Sequence, residues 1–222
     1  LQSLRQGLKL SLNSIELNLK GEAVPLHFCK DEDLWEPLKM CYDSLISVGA
    51  HAIAQGRLLD LLRRIKCFGL NLLRLDIRQE ARKHQILFQE ILSQNGVSEF
   101  LDLKKSMDWV SGKLPYTCKE DELSEDSLEL WQTFKLLKTF NRDSFGAYVI
   151  SMAKTPDDIL VVYWLQLLAG VETPLRVVPL FETLEDLNHA SKTMEQLFAL
   201  DDYLRLVHRS QEVMIGYSDS AK

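Results

Sequence analysis

Four short apolar runs constrain this chain more than any other feature. They are LLRLDIR (72–78), AYVISMA (147–153), LRVVPLF (175–181) and EVMIGYS (212–218), and stretches with helical periodicity separate them. Strand, helix, strand, repeated in this way, calls for parallel strands joined by right-handed crossovers. Strands that are apolar almost throughout belong to a sheet covered on both faces. Four such units make half of an eight-stranded α/β barrel or an open doubly wound sheet. No GxGxxG follows any run, which weighs against a dinucleotide-binding sheet.

The opening third reads as helical. Leu4, Leu8, Leu12, Ile15 and Leu19 recur every three or four residues and form one stripe over residues 1–20. Asp31 and Asp33 stand where the N-cap of a second helix belongs, and Leu58, Leu61, Leu62 and Ile65 stripe a third that Gly69 stops. Helices are expected over 79–94, 127–140, 155–170 and from Thr183 onward. The third of these carries Thr155 as N-cap, Pro156 at its first position and acids in its first turn. Residues 95–126, with Gly96, Gly112, Pro115 and the run KEDELSED, read as an irregular surface excursion. The division expected is a helical segment, 1–69, leading into a strand–helix region, 70–222.

Composition narrows the function. A formal net charge of −6 and a pI near 5.4 give no electrostatic reason to expect nucleic acid or an anionic membrane as partner. No apolar run reaches the roughly 18 residues a spanning helix needs. The cysteines Cys29, Cys41, Cys67 and Cys118 are scattered without a CxxC pair. That spacing argues for reduced thiols in a cytoplasm over a disulfide framework or zinc site. The chain opens on Leu1 and closes on SDSAK directly after a strand-like run, which reads as a piece of a longer protein.

In parallel α/β folds the chemistry sits beyond the carboxyl ends of the strands. Arg78, Gln79 and Glu80 follow the first run; Ser151, Met152 and Lys154 the second; Glu182 the third; Ser218, Asp219 and Lys222 the fourth. Two carboxylates from neighbouring strands can hold Mg²⁺ or Mn²⁺ through oxygen. An arginine matches a phosphate or carboxylate in fork geometry, and a lysine adds charge for a developing oxyanion. The set suits a metal-assisted reaction on an anionic substrate, although any one of these residues alone is more often a solvated or ion-paired strand end.

Other residues read as structural. His27, His51, His84, His189 and His208 have no metal-ligand spacing and are expected at the surface or partly buried. Trp35, Trp109, Trp131 and Trp164 read as packing, Cys67 as core, KEDELSED as a solvated face, and Arg63, Arg64 and Lys66 as a basic cluster too small for nucleic acid.

Four strings in this order, FGLNLLRLDIRQE, FGAYVISMAKTPDDIL, PLRVVPLFETLEDL and EVMIGYSDSAK, together with DLWEPLKMCYDSL and GRLLDLLRRIKCFG before them, resemble phosphoenolpyruvate carboxylase, in particular its bacterial form. The resemblance implies a helix-rich α/β chain forming about half of a TIM-type barrel, with four parallel strands and preceding helices. It implies carboxylation of phosphoenolpyruvate with bicarbonate to oxaloacetate and phosphate, using Mg²⁺ or Mn²⁺, in an enzyme that is a cytoplasmic homotetramer. Carried over by motif, Glu182 and Asp219 become metal ligands, Arg78 the holder of the substrate phosphate and a catalytic group, and Lys222 a catalytic group beside the metal and bicarbonate. Ala81 stands where the family has serine. The family's histidine motif, its glycine- and arginine-rich loop and its inhibitor site fall outside this sequence, so the piece alone is not expected to turn over. A non-catalytic scaffold is the alternative.

Overall fold

The computed structural model describes residues 2–20, 22, 24–28, 30–97 and 115–216. The chain divides into two compact units, residues 1–73 and 74–222.

The first unit is helical: α1 (Gln2–Leu19), α2 (Asp31–Ser47), the short α3 (His51–Ile53), a π-helical turn (Ala54–Leu58) and α4 (Leu59–Phe68). The π turn breaks at Gly56, whose φ of −84° and ψ of −134° leave helical geometry. Leu34 and Leu38 of α2 bury against Leu62 and Ile65 of α4, with Leu4, Phe28 and Trp35 packed on them. The α2 cap differs from expectation. Lys30 is the N-cap, and Asp33 at the third helical position accepts its backbone N–H at 3.0 Å. Asp31 instead accepts from Leu70 N at 2.7 Å. Gly69 stops α4 as expected. Its φ of +60° suits glycine, and a Cβ there would lie 2.6 Å from Asp31 Oδ2. Cys67, expected in the core, is exposed on the last turn of α4.

The second unit runs β1 (Leu75–Glu80), α5 (Ala81–Gln94), α6 (Glu125–Thr139), β2 (Phe145–Ser151), α7 (Pro156–Leu168), β3 (Val177–Phe181), α8 (Leu184–Phe198), α9 (Asp201–Leu206) and β4 (Met214–Ile215), with 3₁₀ turns at Glu120–Glu122 and Arg142–Ser144. The strands form one parallel sheet in chain order, β1-β2-β3-β4. The helix-rich α/β expectation therefore holds, with four parallel strands.

Strand alternation splits the sheet into two faces. Ile77, Tyr148, Ile150 and Val177 point to the side where α5 to α9 pack, and there they join the main core with Leu87, Phe88, Phe134 and Trp164. Ala147, Val149 and Val178 point to the other side and are joined by Leu180 and Met214 from the strands themselves. Several buried polar groups on the helix face are bonded. Gln166 exchanges two hydrogen bonds with the Leu175 backbone (2.7 and 3.2 Å), and the Tyr163 hydroxyl accepts from Val177 N at 3.0 Å. His84 is fully buried, beyond the partial burial expected of it, and its Nε2 lies 2.8 Å from the Tyr148 hydroxyl. Desolvation lowers its pKa to about 4, so the ring is neutral near pH 7.

Helix starts follow the sequence chemistry. Asp158 Oδ2 accepts from Lys154 N, Thr155 N and Thr155 Oγ1 (3.0, 2.8 and 3.0 Å) to open α7, with Pro156 at its first position. Thr183 and Asp186 make a reciprocal capping box for α8. Of the surface excursion, residues 98–114, Trp109 included, lie outside the described residues. Its returning end is pinned to α5: Asn95 and Gln94 side chains each exchange paired hydrogen bonds with the backbones of Thr117 and Lys119. KEDELSED is solvated and ion-paired, Lys119 to Glu122 and Glu120 to Lys135.

Candidate active site

The sheet face formed by Ala147, Val149 and Val178 carries a cavity of about 410 Å³ at the carboxyl ends of β1, β2 and β3. Arg78, Gln79 and Glu80 line it from β1, Val149 and Ser151 from β2, Leu180 and Glu182 from β3. Ladder register explains the grouping. Arg78 is paired with Val149, Glu80 with Ser151, and Val149 with Val178, and paired residues of parallel strands point to the same side. The floor is apolar, from Val149 and Leu180, and the rim polar.

Five of the sequence-selected groups, Arg78, Gln79, Glu80, Ser151 and Glu182, are thus brought together. Glu182 is half-buried in the link between β3 and the capped start of α8. Gly216, just past β4, donates to Phe181 O at 2.9 Å, and a Cβ on it would overlap the Glu182 Cβ. Only glycine lets the two backbones pass this closely, so the exit of β4 is held against the Glu182 backbone. Asp219, Lys222 and Ser218 lie outside the described residues.

Lys154 does not line the cavity. Its Nζ sits 3.7 Å from Glu185, and its carbonyl accepts from Thr193 Oγ1 at 2.8 Å. Met152 does not line it either, but its φ of +57° marks the bend immediately after Ser151. That left-handed conformation is uncommon for a residue with a side chain and is the kind of strain that gathers at functional sites.

The oxygen donors along the wall are the Glu80 and Glu182 carboxylates, the Ser151 hydroxyl and the Gln79 carboxamide, with no sulfur or imidazole among them. That set fits a hard divalent cation over a soft one. Among the described residues no group of three His, Cys, Asp or Glu side chains is placed to hold a metal. The remaining histidines other than His84 are exposed: His27 lies against Phe28, and His189 Nδ1 is 2.8 Å from Glu185 O. No described helix is long and apolar enough to cross a membrane.

Sequence reasoning missed two features near this site. Asp76 reaches across to β2, where its Oδ1 accepts from Ala147 N at 2.9 Å. Gly146 leaves room for it, since a Cβ there would overlap that oxygen. The paired LDIR and FGAY strings held the signal, a carboxylate and a glycine inside apolar strands.

Comparison with known proteins identifies the family. The family model for phosphoenolpyruvate carboxylase matches residues 1–222. Curated phosphoenolpyruvate carboxylases of Salmonella arizonae, Salmonella paratyphi B and Salmonella dublin are each 42% identical over 231 aligned residues. The alignments take in 100% of this chain and 26% of each relative, so the chain spans about a quarter of their length. A match along the whole sequence, with the motif residues Arg78 and Glu182 on one cavity wall, makes this chain a member of the phosphoenolpyruvate carboxylase family.

Proposed function

We propose that the chain is the central portion of an enzyme that carboxylates phosphoenolpyruvate with bicarbonate, giving oxaloacetate and phosphate, and that the described cavity is part of its active site. The observation that carries this is the convergence of Arg78, Glu80, Ser151 and Glu182 from three consecutive strands on one concave wall. The sheet is half of a TIM-type barrel in this reading. Strands in chain order, with the described helices α5 to α9 packed on one side, are what a (β/α)₈ barrel requires, whereas a doubly wound sheet reverses strand order at a switch point. Residues 1–69 form the helical approach to it.

Glu182 and Asp219 would hold Mg²⁺ or Mn²⁺. When bound there, the cation supplies Lewis-acid charge for the enolate oxygen. Arg78, on the cavity wall, grips the phosphoryl group in fork geometry and sets it for attack by bicarbonate. Lys222 adds a cation beside the bicarbonate. The Val149 and Leu180 floor keeps water off the reacting centre. The enzyme works as a cytoplasmic homo-oligomer, and this portion depends on the rest of the parent chain for turnover.

The test is oxaloacetate formation by the full-length enzyme from phosphoenolpyruvate and Mg²⁺, with and without bicarbonate. Bicarbonate-dependent product supports the reading. A folded, metal-replete enzyme that makes none moves the assignment to a carboxylase-like scaffold. Mn²⁺ affinity that survives the double change Glu182→Ala and Asp219→Ala would remove the ligand assignment.

A further inference from the structure

The ladder between β1 and β2 is irregular at one point. Leu75 pairs with Phe145, but Ile77 pairs with Tyr148, so two steps on β1 answer three on β2. This is a β-bulge, and a bulge re-aims every side chain beyond it. The surplus lies at Gly146 and Ala147, opposite Asp76. There the Ala147 N–H is taken by Asp76 Oδ1 at 2.9 Å, and Gly146 has no side chain to block the approach. Beyond the bulge the pairing is regular: Ile77 with Tyr148, Arg78 with Val149, Gln79 with Ile150, Glu80 with Ser151.

We propose that Asp76 is a positioning residue: its carboxylate, by bonding the bulged Ala147 N–H beside Gly146, sets the β1–β2 register that presents Arg78 and Glu80 to the cavity. The side-chain period of a strand is two, so a one-residue slip would turn Arg78 and Glu80 toward the helices and bring Ile77 to the cavity face in their place. Asp76 touches neither cavity floor nor rim; it acts through backbone geometry two residues before Arg78. What Asp76 must supply is an acceptor oxygen. Its charge is dispensable, because the amide oxygen of asparagine can accept the same N–H.

The inference rests on Arg78 binding the substrate phosphate, and the experiment separates the two. In the full-length enzyme, D76A is expected to raise KM for phosphoenolpyruvate about tenfold or more, with a smaller change in kcat, since misplacing a substrate-positioning group weakens ground-state and transition-state binding alike. D76N should retain most wild-type affinity. G146A, which keeps the carboxylate but fills its path, should resemble D76A, and combining G146A with D76A should add little, because both break one contact. Hydrogen exchange of the peptide covering residues 145–149 should quicken in D76A and stay slow in D76N.

D76N as impaired as D76A would overturn the proposal, since the charge would then be what matters. Unchanged KM in D76A would also overturn it. Should D76A fail to fold, G146A decides: a raised KM supports the register role and an unchanged KM removes it. If the wild-type enzyme forms no bicarbonate-dependent oxaloacetate, the functional reading fails, while the exchange contrast between D76A and D76N still tests the register.

Discussion

The two faces of the sheet are built from the same strands, residue by alternate residue, yet they solve different problems. On the helix side Tyr148, Ile150 and Val177 meet a deep apolar layer, and stacked rings fix their geometry: Phe134 lies 5.5 Å from Tyr148, nearly parallel at 6°. On the other side Ala147, Val149 and Val178 make a thin apolar strip, and beyond it the strand ends turn polar. One face holds the strands in place, and the other uses that placement. A barrier of this kind lets a site carry charge and strain, such as Arg78 and the left-handed Met152, without weakening the core behind it.

Substitutions can break this comparison. The largest effect should come from Phe134→Ala, which empties a fully buried site on the helix face and is expected to cost about 3–5 kcal/mol of stability. Thermal or urea melts read it, and a loss well below that range would mean the core collapses around the gap. Arg78→Ala should act in the opposite sense. It is expected to leave the melting temperature nearly unchanged while lowering kcat/KM for phosphoenolpyruvate about a hundredfold, about 3 kcal/mol of transition-state binding. A fall in stability matching that of Phe134→Ala would erase the distinction between the faces.

Acid should discriminate next. His84 is buried with its pKa lowered from 6.5 to about 4, so the unfolded chain binds the proton more readily than the folded one. Its contribution is whole above pH 6.5 and is lost as pH falls toward 4, about 3 kcal/mol across that window. Urea melts between pH 7 and pH 4.5 should show the wild type losing more stability than His84→Gln; equal slopes would place the acid sensitivity elsewhere. The smallest effect should be Val149→Ala on the cavity floor, about 1–2 kcal/mol, because the thin strip offers few atoms to lose.

Much of the fold was legible because local chemistry and tertiary structure agree. Thr155, Pro156 and Asp158 open α7 where the sequence places it, and Gly69 ends α4. The first strand was read three residues early, at 72–78, because Leu72 and Leu73 are apolar. In the structure they are 66% and 68% exposed, Leu72 has a φ of +59°, and β1 starts at Leu75. Gln79 and Glu80, read as the start of a helix, instead pair with Ile150 and Ser151. Polarity misled at this point because these residues line a cavity, and the requirement of the site outweighs strand propensity. That Arg78 and Glu182 stand together at the carboxyl ends of the strands was legible from the rule for parallel sheets. Asp76 and Gly146 were not, since a bulge depends on the register of two strands, which neither string states alone.

The strand order has a consequence for how such a chain is made. Each strand pairs with the one synthesised just before it. A sheet with a switch point must leave an early strand waiting, edge exposed, for one made later. Here β2 finds β1 already present, β3 finds β2, and β4 finds β3. Assembly can therefore follow the order of translation, with each new strand closing a loop of one crossover and covering the edge on which an unfinished sheet would otherwise aggregate.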